Sequence, residues 1–334
     1  MLGETVSPNE KPPIPLVTES RAELIQAVKP EYGPHKRILG KPPAMNEGRF
    51  SMANILSREE KLTILSLLVE GNSLRSISRH TKIHRTSIMN LLVEFGAKCR
   101  AFLDRRMRGL KLDHCELDEI WTFVRKKQRR LNDLEKDNSN IGDQYLFVAI
   151  DYTTKLIPCF AIGKRTKETT EIFTADLAQR IMTPDSFAFP EDRPQISTDG
   201  WAAYPSAIED AFNGMVNYGQ IIKNFDASEQ PGRYGPPILV DTTRRVIDGP
   251  IEKTTICTSH VERNNLTIRT FLRRFTRLSL GFSKKLANLV AAVSVNFAYY
   301  NYCWLHGSLP GTPAMAAKIA GHPWSLEELY DAVQ

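Results

Sequence analysis

Residues 115–124 read CELDEIWTFV, residues 145–151 YLFVAID and residues 157–162 IPCFAI. Each segment is rich in β-branched and aromatic residues and is bounded by polar turns, the pattern of three antiparallel strands. A helical period follows from Glu168 to Ile181, then a short strand at Gln195–Ser197 that Asp199-Gly200 breaks ahead of another helix. Residues 213–257 hold glycine, proline and polar residues with weak periodicity and read as an insertion. A long helix is expected from His260 to about Leu278, and a second from Ser283 to Leu305. The order β-β-β-α-β-α…α specifies an α/β sheet layered with helices, over residues 110–282, followed by a C-terminal helical segment, 283–334.

Upstream of the strands the period is helical. Ser57 and Glu60 have capping-box spacing ahead of a helix through Leu62, Leu65 and Leu68, with Gly71 placed to end it. A second helix starts at Ser73. After a short turn at Thr81–His84 comes a third, with Ile88, Leu91, Leu92 and Phe95 inward. Three short helices with a tight break before the last read as a small all-α helix-turn-helix domain over residues 51–105. Its third helix exposes Arg85, Thr86, Ser87 and Asn90, residue types that reach base edges in the major groove; a plain three-helix bundle would show the same periods. Residues 1–50 carry eight of the twenty prolines and read as a flexible arm.

A chain of 334 residues exceeds one ordinary domain, and its net charge of +6 suits a polyanionic partner. The five cysteines are scattered, with no zinc-knuckle or redox spacing. Asn288, Asn296 and Asn301 interrupt the apolar run from Leu286 to Leu305, which argues for a core helix rather than a membrane span. With no apolar N-terminal stretch to serve as a secretory signal, the expectation is a cytoplasmic, nucleoid-associated protein.

Three carboxylates carry the candidate chemistry. Asp118 lies inside an expected strand, where acidic residues are depleted. Asp199 sits at the C-terminal end of a strand, where open α/β sheets place ligand-binding groups. Glu262 falls in the first turn of the long helix, on one stripe with Arg269 and Arg273 and beside an apolar face of Val261, Ile268 and Leu272. Three such groups can hold divalent cations, while the arginines can hold DNA phosphates. Each also has an ordinary explanation: Asp199-Gly200 as a turn, Ser259 and Glu262 as a capping box, Asp118-Glu119 as a solvated strand face. In a regular strand Glu119 points away from Asp118, so only one of the two is expected in a site. Asp151 is explained by a hairpin turn, and His260 either lines the same site or caps the helix.

The segment ERNNLTIRTFLRRFTRLSLGFSKK at 262–285 closely resembles the signature around the catalytic glutamate of the insertion sequence one transposase family. DEIWTFV at 118–124 and TDGWAAY at 198–204 resemble the other two acidic motifs. The resemblance implies an RNase H-like catalytic domain with Asp118, Asp199 and Glu262 as ligands of two Mg²⁺ or Mn²⁺ ions, and Arg269 as a DNA contact. It also implies double-stranded DNA partners, element ends and target, and at least a dimer to pair two ends. Two features depart from the family. No cysteine precedes Cys99, so an N-terminal zinc finger is missing and end recognition falls to the helix-turn-helix. The gap from Asp199 to Glu262 is long, which leaves Glu252 as a rival third ligand. The alternative class is a non-enzymatic helix-turn-helix regulator whose α/β domain senses a ligand.

Overall fold

In the computed structural model, which describes residues 55–182, 189–225 and 239–334, three helices come first: α1 (Arg58–Val69), α2 (Leu74–Thr81) and α3 (Arg85–Arg106). The arm expected over residues 1–50 lies outside the described residues. At the start of α1 the Ser57 hydroxyl accepts from the Glu60 amide (3.1 Å) and the Glu60 carboxylate from the Ser57 amide (2.9 Å), the reciprocal pair its spacing requires. Gly71 follows α1 at φ +75°, a conformation that favours glycine. The break between α2 and α3 turns on Lys82, left-handed at φ 61°, and His84 caps α3 by accepting from the Thr86 amide. The third helix runs a further three turns beyond Phe95 because Cys99, Phe102 and Leu103 continue its buried stripe.

The sheet follows. Strands β1 (His114–Val124), β2 (Gly142–Asp151) and β3 (Phe160–Gly163) form an antiparallel meander. β3 begins three residues later than the sequence pattern, because the Ile157 amide and carbonyl are bound by the side-chain amide of Asn301 (3.0 and 2.9 Å) instead of a strand. Next come α4 (Lys167–Ala178), β4 (Gln195–Thr198), α5 (Tyr204–Phe212), β5 (Asn217–Phe225) and β6 (Leu239–Asp248). The strand order is β3-β2-β1-β4-β5-β6, with β4 parallel to both β1 and β5 and the other pairs antiparallel. It is a six-stranded mixed sheet layered with helices.

Residues 213–257, read from the sequence as an insertion, supply β5 and β6; residues 226–238 between them lie outside the described residues. β6 is exposed along most of both faces, so burial imposes no apolar alternation on it and its sequence carries little strand signal.

The longer helices after β6 are α6 (Ser259–Phe271), α7 (Leu286–Tyr302) and α8 (Leu326–Ala332), with a single turn, Pro313–Ala316, between the last two. The expected continuation of α6 to Leu278 does not form. Leu272 turns extended (φ −103°, ψ 95°) and buries beside Phe275 in a short 3-10 turn, Arg273–Phe275, while the Thr276 hydroxyl donates back to the Arg269 carbonyl (3.0 Å). α7 lies against α3, and Phe102 meets Tyr302 edge-on with ring centroids 5.1 Å apart. Residues 55–334 thus form one compact unit. No helix among the described residues is long and apolar enough to cross a membrane.

The tightest point of this packing is Gly96, where a Cβ would stand 2.6 Å from Ala291 backbone and side-chain atoms of α7. Gly96→Val is therefore expected to destabilise the chain by about 1–3 kcal/mol through overpacking. A lower urea midpoint would show it; an unchanged midpoint would mean that α3 and α7 do not meet here.

Candidate metal-binding site

β1 overhangs β4. Their parallel pairing ends at Leu117 opposite Thr198, so Asp118 and Glu119 extend past the C-terminal end of β4 into the crevice where the chain turns away at Asp199. Carboxylate oxygens of Asp118, Glu119 and Asp199 all lie within 4.8 Å of one another. The expectation that only one of Asp118 and Glu119 would face a site is therefore corrected: both approach Asp199. Beyond the end of β4 no neighbouring strand separates the two faces of β1 on that side, and the longer glutamate reaches Asp199 around the open edge.

Each member is held differently. Asp118 Oδ2 accepts from Asn265 Nδ2 of α6 at 2.6 Å. Asp199 Oδ1 accepts from the Trp201 amide (2.9 Å), so the turn reading of Asp199-Gly200 is correct for one oxygen; Oδ2 faces Arg165 at 3.4 Å. The Glu119 side chain is 2% exposed and pairs with Arg165 at 3.1 Å, with the buried Tyr204 hydroxyl beside it. The Arg165 guanidinium stacks over Trp201, 4.4 Å from the ring centroid. Glu262 lies on α6, where its carboxylate pairs with Lys223 of β5 and accepts from the Thr258 hydroxyl (2.6 Å).

Crowding of negative charge shows in the proton affinities. Burial, and then the neighbouring charge of Asp199, raise both the Asp118 and the Glu119 carboxyl to about 7. Glu262 adds to the effect on Asp118 and Lys223 offsets it. Asp118 thus holds its proton more tightly folded than unfolded, so its contribution to stability falls as pH rises from the ordinary carboxylate range through about 7. In chelator, the melting temperature of the wild type should drop between pH 5 and pH 8, and Asp118→Asn should shrink that drop. Identical pH profiles for the two proteins would contradict the crowded geometry.

α6 starts within one residue of the expected His260, but its cap was not legible in the sequence. Glu116, fully buried on β1 two residues before Asp118, accepts from the His260 and Val261 amides (2.8 and 3.0 Å) and meets His260 Nδ1 at 2.7 Å. It satisfies the orphan donors at the helix N-terminus from across the sheet. The Ser259–Glu262 capping box is accordingly absent: Thr258 occupies the cap position and Glu262 lies one residue too far along. His260 belongs to this capping arrangement, packed edge-on to Tyr152 at 4.4 Å. Glu116, Cys257 and His260 also lie close enough to share an ion, but the Glu116 oxygens are already engaged. Asp151 forms the expected turn, accepting from the Thr154 amide and hydroxyl (2.7 and 2.6 Å).

Of the other residues singled out, Arg269 is half-buried on α6 and donates to the Phe275 carbonyl (3.4 Å). Arg273 leaves the stripe with the 3-10 turn, and its Nε donates to the Gly71 carbonyl (3.1 Å). Arg85, Thr86, Ser87 and Asn90 are exposed at the start of α3. Glu252 accepts from Thr254 and is not among the clustered acids. Sequence reading missed Glu116, Glu119, Arg165, Lys223 and Asn265. Of these, Asn265 had a usable signal, three residues after Glu262 on the same helix face.

No protein-family model matches the chain, and no curated protein matches it. Among solved structures it is similar to the piggyBac transposase synaptic complex with hairpin DNA, at 12% identity over 86% of this chain and 74% of that one, with a TM-score of 0.33. It also matches the Mos1 mariner paired end complex with Mn, at 14% identity over 60% of this chain and 66% of that one, with a TM-score of 0.17. A pre-cleavage Mos1 transpososome matches at 11% identity over the same shares, with a TM-score of 0.16.

Proposed function

We propose that this chain is a DNA transposase with an RNase H-like catalytic domain, cutting and joining DNA with two divalent cations, Mg²⁺ or Mn²⁺, held by Asp118, Asp199 and Glu262. The observation that carries the reading is the meeting of the Asp118 and Asp199 carboxylates at the C-terminal end of β4. α6 carries Glu262 within electrostatic reach of Asp118. The donor set fits hard cations, since it is all oxygen and contains no thiolate. Its negative charge is met by Arg165 and Lys223.

When bound, two such ions activate the attacking oxygen and stabilise the leaving oxygen of a phosphodiester. The protein's own groups orient two of the carboxylates, Asn265 fixing Asp118 and the Trp201 amide fixing Asp199. Glu262 is engaged by Thr258 and Lys223 and would turn from Lys223 to join them. Glu119 anchors Arg165, whose guanidinium at the rim of the cluster suits a DNA phosphate. Arg269 and Arg273 are proposed as further phosphate contacts, and Arg85, Thr86, Ser87 and Asn90 as the base-reading residues of a helix-turn-helix. Pairing two element ends requires at least a dimer.

The test is to incubate purified full-length chain with linear DNA carrying the element's ends, a target plasmid and Mg²⁺. End cleavage and joined products that vanish in excess chelator are expected. Specific end binding with neither product would support the regulator instead, and full activity in chelator would rule out the two-metal chemistry.

A further inference from the structure

Next to Glu262 on α6, along the stripe of Arg263, Leu266, Thr267 and Thr270, lies a cleft of about 1020 Å³, between that helix, the end of β2 and the chain after α7. Its lining contains no aspartate or glutamate, but it contains Lys155, Arg263, His260 and His306. Burial, and then the charges of Lys155, Arg263 and His260, lower the proton affinity of His306, which places these basic groups within reach of one another. Arg263 is exposed on α6 and forms no ion pair among the described residues. Asn264, 5% exposed, lines the same cleft with its side-chain Nδ2 donor unpartnered. A buried donor without an acceptor is costly, and a ligand oxygen would satisfy it.

The cleft also has aromatic walls. Tyr152, 43% exposed, is braced by His114, stacked at 5.3 Å, and by His260 at its edge. Lys155 Nζ lies 4.8 Å from the Tyr152 ring centroid. Trp304 packs edge-on against Phe271 at 4.8 Å and also borders the space. Glu116 engages His260 and, with Asp151, acts on Lys155. That leaves Arg263 as the exposed cation without an ion pair among the described residues to meet a phosphate, while the aromatic rings suit flat, unstacked bases. A duplex keeps its bases stacked inside and offers only phosphates, so it would leave these rings unused. At this volume the cleft exceeds what one small ligand needs and accommodates more than a single nucleotide.

We infer that this cleft binds an unpaired segment of DNA strand, with phosphates on Arg263 and Lys155, a base against Tyr152 and Trp304, and an acceptor on Asn264. The inference rests on the DNA-processing reading for why such a strand would be present. Because Glu262 and Asn265 lie beside this stripe on the same helix, a strand held here would lie next to the carboxylate cluster.

The test uses the full chain in chelator, so that nothing is cut, and fluorescence anisotropy with a labelled oligothymidylate of about ten nucleotides and a blunt duplex of equal length. Arg263→Ala and Tyr152→Ala should each weaken oligothymidylate binding about tenfold and leave duplex binding unchanged. Tyr152→Phe keeps the ring and should bind like the wild type. Both sites are exposed, and thermal melts matching the wild type confirm that loss of binding is local. Unchanged oligothymidylate binding in both variants would overturn the inference, as would equal losses on single strand and duplex. The catalytic reading is tested separately: Asp118→Asn should retain oligothymidylate binding. If the cleft variants lose single-strand binding while the wild type never cuts DNA, the cleft stands and the catalytic reading fails.

Discussion

Asp118→Asn and Asp199→Asn are each expected to slow Mg²⁺-dependent cleavage by about three orders of magnitude, the rate equivalent of the several kcal/mol that an ion contributes through its ligands. Asparagine keeps the volume and one acceptor oxygen of each side chain, so the bonds from Asn265 and from the Trp201 amide can persist while the charge that attracts cations is lost. Affinity for element ends should be nearly unchanged in both variants, because the proposed base-reading residues sit on α3. The complementary pair, Arg85→Ala with Asn90→Ala, should weaken end binding by about 1–3 kcal/mol per lost base contact. Gel-shift and cleavage assays on the same preparations separate the two effects. If Asp199→Asn cleaved at the wild-type rate, the carboxylate cluster would have no catalytic role.

The largest effect on stability is expected at Glu116. Glu116→Ala removes the acceptor for two amides at the buried start of α6, and each donor left unpaired costs about 1–3 kcal/mol. The damage should extend to function without any contact to DNA, since α6 carries Glu262 and Asn265 and its N-terminus is positioned through Glu116. Chemical denaturation should show the destabilisation. Glu116→Gln, which retains one acceptor oxygen, should recover part of it. A Glu116→Ala protein as stable as the wild type would mean that the helix start is capped by other means.

How much of this was legible in the sequence follows from burial. The meander β1–β2–β3 was readable because its strands are packed on the core, and β2 in particular is buried over nearly its whole length. β6 left no trace because neither of its faces is enclosed. α6 looked longer than it is because Leu272 and Phe275 keep a helical spacing, although they reach the core through an extended residue and a 3-10 turn. Among the site residues, Asp118 stood out because strands disfavour acids, and Asp199 because it follows the C-terminal end of a strand, where α/β sheets place ligand-binding groups. Glu119 was set aside by strand alternation, but β1 outruns β4 at that point, so carboxylates from both of its faces approach Asp199 past the strand end. The partners of the acids come from distant segments, Arg165 from the turn after β3 and Lys223 from β5, and the cap of α6 comes from Glu116 on β1. Nothing local in sequence marks such pairings, because they are created by the order of strands in the sheet.

The two-ion assignment is tested most directly by a crystal grown with Mn²⁺ and measured at the manganese absorption edge. Two anomalous peaks roughly 3.5–4 Å apart, bounded by the carboxylates of Asp118, Asp199 and Glu262, are expected. Glu262 should then be turned from Lys223 toward the ions. Manganese found only between Glu116, Cys257 and His260, or no peak beside Asp118 and Asp199 at saturating Mn²⁺, would contradict it.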